Sequence, residues 1–362
     1  MPTGALKVRA AVACRFFRWP EHVEGIEYSS DFHVSTLDPF TPNARIEPAA
    51  CYLRRTFHTR KGTVLLKTKP KTAAKNPQAS VGIIGGSGLY NMKGLSETNE
   101  VRIKTPFGDP SEAIVTGVLE GKRVAFLARH GRGHRLLPTE INYRANICAL
   151  KLLGVERIIS VSAVGSLKEE LAPGEFLVAD QFVDCTRHRI STFFGAGLVA
   201  HVSFGQPTCP QLSRLLADSC VHCGVKVHRK GTYICMEGPQ FSTLAEAHMH
   251  RSLGFDVIGM TNVTEAKLAR EAELCYGSIA MITDYDCWHA DHESVTGAQI
   301  IATLNQNAEN AQHVLREAVK AMPEHRECKC GTALAHALIT DPKLVPAGTK
   351  KRLAPIIGKY LS

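Results

Sequence analysis

From Ser80 onward, short apolar runs alternate with amphipathic helical patterns, and this alternation restricts the fold more than any other feature. It is typical of α/β proteins, in which a mostly parallel sheet lies between layers of helices. The predicted strands are Val81–Ile84, Val124–Ala128, Ile158–Val161, Phe176–Ala179, Thr232–Met236, Val257–Met260 and Tyr276–Ile282. We therefore predict a single α/β domain with a twisted, mixed and mostly parallel sheet flanked by helices.

Four helices are predicted between or after these strands. Thr243 and Glu246 have the spacing of a capping box, which marks the start of a helix that ends near Gly254. The other three predicted helices are Ile141–Leu153, Thr264–Leu274 and Gly297–Ala321.

The chain divides by composition into residues 1–78, 79–322 and 323–362. Residues 1–80 carry 13 Lys and Arg against 6 Asp and Glu, so most of the net charge of +9 belongs to this end. No regular hydrophobic period runs through residues 1–78, which we interpret as a basic, disordered extension or as translation from an upstream start codon. Its acidic residues argue against a targeting peptide. The third part holds a Cys-Lys-Cys element and two short helical patterns.

Charge and hydropathy also limit the partners of the protein. The body after residue 80 is nearly neutral, which argues against nucleic-acid binding by the whole chain. No apolar stretch approaches the roughly 20 residues that span a bilayer, and no secretory signal is evident. We therefore predict a cytoplasmic protein without membrane or nucleic-acid partners.

Several predicted strands end in residues that suit an anion. Gly85–Gly88 would offer backbone N–H groups and the Ser87 hydroxyl, and the Arg129–His130 pair would offer a charged fork. Ser162 and Thr261 follow two further strands. Each motif alone also fits a plain turn, a solvated basic loop or ordinary strand packing. Together they predict an oxyanion site at one edge of the sheet.

A different strand ends in two carboxylates, Asp284 and Asp286, which share one side of an extended chain. An Asp-rich turn that caps the next helix is the alternative interpretation. An acid that faces an anion site is the arrangement required for group transfer to phosphate.

Five segments in this order and spacing resemble one family, the trimeric purine nucleoside phosphorylases, and within it the S-methyl-5′-thioadenosine phosphorylases. They are Val81–Leu89, Thr105–Gly108, Ala128–Gly131, Glu237–Ser242 and Thr283–Trp288, and the resemblance covers about residues 80–322. It implies a nucleoside-phosphorylase fold in a homotrimer or a dimer of trimers. It also implies cleavage of S-methyl-5′-thioadenosine by inorganic phosphate, without a metal or any other cofactor.

The resemblance assigns roles by position. It implies phosphate binding by Ser87, Arg129, His130, Ser162 and Thr261, and nucleoside binding by Ala163, Phe241, Met260, Val295, Gly297 and Ile301. His201 matches a residue that the family lends to the site of a neighbouring subunit. Asp284 would bind N7 and the exocyclic amine of the base, with Asp286 beside it.

The chain departs from the family pattern at three positions. Ser87 replaces a common Thr, and either hydroxyl can donate to phosphate. Gly297 replaces a larger apolar residue, which would widen the 5′ pocket. Gln240 stands where Arg is common.

A purine leaves more readily when N7 is protonated, and a shielded carboxyl group could supply that proton near neutral pH. We predict Asp284 as this acid, shielded by Phe241, Met260 and Trp288. A carboxylate also accepts a hydrogen bond from a 6-amino group, whereas it meets a 6-oxo group acceptor to acceptor. The alternative function is a broader phosphorylase of adenosine and inosine. A non-catalytic nucleic-acid binder that uses the basic arm leaves the acid and anion residues unexplained.

Twelve cysteines are a high number for a cytosolic protein. Two local pairs stand out, Cys220 with Cys223 and Cys328 with Cys330. Thermophilic archaeal relatives, by resemblance, have disulfides in this fold and a C-terminal Cys-x-Cys. We expect disulfides; free thiols and a metal site are the alternatives, and sequence does not give the pairing.

Overall fold

A computed structural model describes residues 78–86, 89, 92–289 and 297–361. The N-terminal extension predicted for residues 1–78 lies outside the described residues, apart from Gln78. Within the described part, no helix is both long and apolar enough to cross a bilayer.

Eleven strands of the described residues form one mixed sheet. They are β1 (Val81–Gly85), β2 (Ser96–Val101), β3 (Ile114–Leu119), β4 (Lys122–Ala128), β5 (Arg157–Ser166), β6 (Phe176–Ala179), β7 (Gln181–Asp184), β8 (Val227–His228), β9 (Thr232–Cys235), β10 (Val257–Gly259) and β11 (Cys275–Asp284). Six strand pairs are parallel, including β1 with β4, β1 with β5 and β5 with β11. Four pairs are antiparallel. The predicted fold class is confirmed.

Helices pack on both faces of the sheet. They are α1 (Tyr143–Leu152), α2 (Pro210–His222), α3 (Leu244–Ser252), α4 (Asn262–Glu271), α5 (Gly297–Ala321) and α6 (Ala347–Ile357). One core cluster joins α1, α4 and α6 to the sheet, and a second joins α2 and α5 to it. Burial of these apolar side chains is the main driving force for stacking the layers.

The predicted helix boundaries are mostly confirmed. The capping box at Thr243 and Glu246 is present, because the Thr243 hydroxyl accepts from the Glu246 N–H and the Glu246 carboxylate accepts from the Thr243 N–H. Helix α5 has its predicted limits, whereas α4 begins two residues before Thr264 and ends three residues before Leu274. Its early start places Thr261 at the N-cap, where the first backbone N–H groups of a helix are free to bind an anion.

Strand β5 changes partners halfway along one edge. Residues Arg157–Ser160 pair with β1, and Gly165 and Ser166 pair with β10 in the opposite direction. On the other edge, β11 accompanies β5 from Arg157 to Gly165. Residues 161–164 therefore have an open edge between the end of β1 and β10. Crevices of this kind at strand ends are where open α/β sheets bind ligands.

Residues 323–361 pack against the sheet and helices instead of projecting from them. Leu353 and Ile356 of α6 belong to the core cluster around α1, and Cys330 belongs to the cluster around α2 and α5. The boundary predicted at residue 323 stays a prediction, but the segment after it contributes to both cores.

Candidate active site

The open edge of β5 lines a cavity of about 320 Å³. The ends of β1, β4, β5, β10 and β11 converge on it. Described residues that line it include Gly86, Arg129, His130, Ser162, Ala163, Phe241, Met260, Thr261, Thr283, Asp284 and Asp286. Polar groups lie at two ends of this cavity, with apolar side chains between them.

At the first end, Arg129 lies at the carboxyl end of β4 and is 1% exposed. Its guanidinium forms a two-point contact with Glu265 of α4, through Nε to Oε1 at 2.5 Å and Nη2 to Oε2 at 3.2 Å. Nη1 donates to the Val161 carbonyl at 2.9 Å and lies near Gly86. These contacts fix the orientation of the guanidinium beside Gly86.

Glu265 is 1% exposed and is the centre of a buried network. Besides Arg129, its Oε2 accepts from the Ser160 hydroxyl at 2.7 Å and from the Tyr276 hydroxyl at 3.0 Å. A carboxylate without these donors would be costly to bury. The Glu265 charge raises the pKa of Arg129 against the opposing effect of burial, so the guanidinium stays cationic.

His130 follows Arg129 and lies mostly buried. Burial first, and then the Arg129 charge, lowers the pKa of His130 to about 4, so the ring is neutral near pH 7. Its Nδ1 lies 2.9 Å from the Leu136 carbonyl oxygen, which can only accept, so Nδ1 carries the proton. The Nε2 atom is then an acceptor, suited to an oxyanion that still carries a proton. The ring stacks on His134 with 4.1 Å between ring centroids.

Two hydroxyl groups complete this end of the cavity. The buried Ser162 hydroxyl has no hydrogen-bond partner among the described residues, so it is available to a ligand. The Thr261 hydroxyl donates to the Asn262 side chain at 3.0 Å and stands at the N-cap of α4. Together with Arg129, these groups form an anion site.

The opposite end holds the two carboxylates. The register of β11 shifts between Ile282 and Asp284, which brings Asp284 opposite Gly165 of β5. Gly165 leaves room there, because a Cβ atom would lie 3.0 Å from Asp284 Oδ1, which is a tight contact. Gly165 follows Ser162 by three residues, so the two ends lie about 10 Å apart along β5.

Asp284 is held by its neighbours but largely removed from water. Its Oδ2 accepts from the Thr283 hydroxyl at 2.7 Å, and its Oδ1 accepts from the Asp286 N–H at 2.8 Å. Burial nevertheless raises the pKa of Asp284 to about 6, because it outweighs these two hydrogen bonds. A carboxyl group with this pKa can release a proton near neutral pH.

Asp286 has a different environment. Its backbone lies in the left-handed region at φ 54°, which Asp tolerates in tight turns. Its Oδ2 is buried without a hydrogen-bond partner among the described residues. Burial raises the pKa of Asp286 above its usual value.

Apolar groups separate the two ends. Ala163, Val164, Met236, Ile258 and Met260 line the middle of the cavity, and Phe241 stands at its rim with 65% of its surface exposed. The predicted shielding by Phe241 and Met260 agrees with this lining. Trp288 does not line this cavity, and the shielding predicted for it stays a prediction. Its indole N–H donates to the Ser166 carbonyl at 2.7 Å and its ring is covered by Arg251, outside the cavity lining.

The chain matches the Phosphorylase superfamily model over residues 80–320. The S-methyl-5′-thioadenosine phosphorylase of Koribacter versatilis strain Ellin345 is 64% identical over 283 residues, which are 78% of this chain and 97% of that protein. The enzyme of that name from Geobacter sulfurreducens is 57% identical over 282 residues, or 78% and 99% of the two chains. The chain belongs to the S-methyl-5′-thioadenosine phosphorylase family. It is therefore an enzyme of the pentosyltransferase class.

Solved structures of this family share the fold. A methylthioadenosine phosphorylase from an Antarctic soil metagenomic library is 49% identical, with a TM-score of 0.75, over 78% of this chain and 99% of that one. A variant of the Schistosoma mansoni adenosine/methylthioadenosine phosphorylase, in complex with methylthioadenosine, is 34% identical, with a TM-score of 0.67, over 71% and 96% of the chains.

Most residues that the family resemblance assigned to the site meet in this one cavity. The exceptions are Ser87 and Val295, which lie outside the described residues, and His201, which is exposed after the Ala200–Leu338 bridge and does not line the cavity. Gly297 begins α5 and Ile301 lies in its second turn. All five assignments stay predictions.

Two positioning residues were not found from the sequence. Glu265 resembles any acidic residue in the first turn of a helix, and only the fold shows that it holds Arg129. Arg189 is buried between strand ends, where it donates to the carbonyls of Met260 and Glu237. It also pairs with the Glu237 carboxylate at 3.2 Å. The signal, a basic residue in a loop of basic residues, is too common to be specific.

Proposed function

We propose that this chain cleaves S-methyl-5′-thioadenosine with inorganic phosphate, giving adenine and 5-methylthioribose 1-phosphate. One observation carries the proposal: a single cavity joins an anion site around Arg129 to a carboxyl group, Asp284, whose pKa burial raises to about 6. The relatives named S-methyl-5′-thioadenosine phosphorylase support the choice of substrate.

In the proposed reaction, phosphate lies against Arg129, His130, Ser162 and Thr261. The bond from C1′ to N9 breaks as a phosphate oxygen bonds to C1′, and the protonated Asp284 donates to N7 of the leaving base. The dianion HPO₄²⁻ brings one proton and the sugar phosphate leaves as a dianion, so the base gains one proton overall. Neutral His130 accepts the hydrogen bond from the phosphate O–H through Nε2.

The electrostatic contribution of the phosphate site comes from its fixed position. As the glycosidic bond breaks, C1′ gains positive charge, and the bound phosphate stabilises it from one face. A guanidinium held by Glu265 needs no reorientation during this step, and preorganised charges of this kind give large rate effects.

The two ends also account for substrate selection. Once Asp284 has donated to N7, its second oxygen can accept from a 6-amino group but meets a 6-oxo group acceptor to acceptor. We therefore propose adenine nucleosides as the substrate class. Activity on adenosine is a second candidate, which the name of the Schistosoma mansoni adenosine/methylthioadenosine phosphorylase favours.

The assembly remains part of the proposal. We infer a homotrimer, or a dimer of trimers, in which His201 of one subunit reaches the 5′ end of its neighbour's site. Sedimentation of the full chain tests the assembly, and a monomer with full activity would contradict the role of His201.

Phosphate is the only co-substrate proposed, and cytoplasmic location stays a prediction.

The deciding experiment compares kcat/KM for phosphate-dependent base release from S-methyl-5′-thioadenosine, adenosine and inosine. We expect the first to exceed the second at least about tenfold, equivalent to about 1.4 kcal/mol, and inosine cleavage to be negligible. Comparable cleavage of inosine would contradict the role given to Asp284. For the variant Asp284→Asn, the matched control is Asp218→Asn, because Asp218 pairs with Arg229 on the surface at 2.6 Å, away from the cavity.

A further inference from the structure

Four cysteines that are distant in sequence meet at the end of β11 opposite to Asp284. Cys209 precedes α2, Cys275 begins β11, and Cys328 and Cys330 lie in the C-terminal segment. Their four sulfur atoms all lie within 4.8 Å of one another. Three of these cysteines are buried and Cys328 is half-buried. Of the two local cysteine pairs noted in the sequence, Cys328 and Cys330 belong to this group, whereas Cys220 and Cys223 lie outside it.

The sulfur atoms are not joined as disulfides. Cys275 Sγ and Cys328 Sγ are 3.2 Å apart, whereas a disulfide bond is about 2.05 Å long. No disulfide links any of the ten cysteines among the described residues, so the disulfide expectation is not confirmed.

We propose that Cys209, Cys275, Cys328 and Cys330 bind one Zn²⁺ ion as a structural tetrathiolate site. Zinc in such sites is tetrahedral with Zn–S distances of about 2.3 Å, which places the sulfur atoms about 3.8 Å apart. One separation is 3.2 Å and none exceeds 4.8 Å, so shifts of about 1 Å would complete the tetrahedron. Four protein ligands leave no open position, which is the arrangement of structural zinc sites.

A buried arginine gives independent support. Arg157 lies opposite Cys275 in the parallel register of β5 and β11, and it lines the same cavity as Cys209, Cys275 and Cys328. The residue is 5% exposed, and its Nη2 has no hydrogen-bond partner among the described residues. A zinc tetrathiolate carries a net charge of −2, so it would give the Nη2 group of this buried cation an acceptor, in addition to the Glu156 carboxylate that lies 3.6 Å from Nη1.

The surroundings provide other features expected of a metal site. Cys209 occupies the N-cap of α2, where the helix dipole favours an anionic thiolate. The adjoining cavity of about 250 Å³ gives an entry path, and Arg214 and Arg326 also line it. Binding converts four thiols and Zn²⁺ into the tetrathiolate complex with release of four protons.

The site would tie the C-terminal segment to the base of the strand that carries Asp284. Asp284 lies nine residues further along β11, about 30 Å away. The ion therefore has a structural role and takes no part in cleavage of the nucleoside. This proposal departs from the expectation, drawn from the resemblance, that the protein has no metal, and it does not depend on the proposed substrate.

The test uses the full chain, purified under reducing conditions without chelator or added metal. Elemental analysis should find one zinc per chain, and the apoprotein loaded with Co²⁺ should show thiolate-to-cobalt charge transfer with tetrahedral d–d bands. Cys328→Ser should lose zinc, whereas Cys223→Ser, at another half-buried cysteine, should keep it. Chelation should lower the Tm of the wild type.

Three results would overturn the proposal, and each can be read from the wild type even if Cys328→Ser does not fold. The first is that all four of these cysteines react as free thiols while no metal is bound. The second is a mass deficit of two hydrogens for each disulfide formed, and the third is bound iron in place of zinc.

Discussion

The two ends of the cavity favour opposite charge states of a buried group. At the phosphate end, Arg129 must keep its charge, and Glu265, Ser160 and Val161 satisfy nearly all of its donors. At the base end, Asp284 must keep a proton, and two hydrogen bonds from described residues offset its burial in part. The same low-dielectric cavity therefore holds a fixed cation and a carboxyl group of raised pKa.

This difference shows that burial alone does not decide protonation. Both groups lose water, but only Arg129 gains an opposite charge at contact distance. Asp284 has no described cation beside it, and Asp286 adds a second negative charge. The partners of each group select whether charge or neutrality is favoured.

The largest expected effect comes from breaking the phosphate end. Arg129→Ala leaves Glu265 charged, buried and without its cation, so the free energy of unfolding should fall by about 3–5 kcal/mol. Phosphorolysis should be lost as well, because the anion site loses its fixed cation. Urea unfolding, followed by circular dichroism, and a phosphate-dependence assay measure the two effects.

Arg132→Ala is the matched control. Arg132 lies in the same loop and pairs with Glu100 at 2.5 Å, but both side chains are at least half exposed. Exposed pairs contribute about 0–1 kcal/mol. Equal stability of the two variants would show that the Arg129–Glu265 contact does not fix this end.

At the base end, Asp284→Asn should lower kcat by about 10²–10⁴-fold, the usual contribution of a general acid. Asp286→Asn should cost less than about tenfold, because the Asp286 contact to Asp284 is made by its backbone N–H. Rapid-quench measurements at saturating phosphate separate the chemical step from release of products. A larger loss in Asp286→Asn would reverse the two roles.

The pH dependence of stability tests the raised pKa separately from catalysis. The folded protein holds the Asp284 proton up to about pH 6, whereas the unfolded chain releases it near 3.8. The folded state thus binds more protons between these values, and stability falls as pH rises through that window. Asp284→Asn lacks this loss, which is about 3 kcal/mol.

The stability difference between Asp284→Asn and the wild type should therefore grow between pH 4 and pH 7 in favour of the variant. Comparing the two proteins at each pH cancels the other titrating groups. A constant difference across this range would mean that the pKa of Asp284 is close to its ordinary value.

Some parts of the fold could be predicted from the sequence, and others could not. Strands such as β1 and β11 are continuous apolar runs buried on both faces, and their ends carry the site residues, so both could be predicted. Strand β2 has the polar sequence SETNEV and is mostly exposed, so it has no local signal and forms by pairing with β3. Helix α6 contains Pro355, which hides its helical pattern.

The site residues divide in the same way. Arg129 and Asp284 stand at strand ends, where the fold class alone gives them a position. The partner of Arg129 lies 136 residues further along the chain, and the cysteine group joins positions separated by more than 50 residues. Contacts of this range depend on tertiary packing, which no local pattern encodes.

The smallest expected effect concerns the apolar wall between the two ends. Phe241→Ala removes the exposed ring at the rim of the cavity, and aromatic contacts contribute about 0.5–1.5 kcal/mol, so KM for the nucleoside should rise about 2–10-fold. The rate constant kcat should change little, because a ring with 65% of its surface exposed adds little to the burial that raises the pKa of Asp284. Leu244→Ala is the control, since Leu244 is also exposed but does not line the cavity. If Phe241→Ala instead lowers kcat and leaves KM unchanged, the ring acts on the transition state. The apolar wall would then help to sustain the raised pKa of Asp284, and its role would be in proton donation to the base.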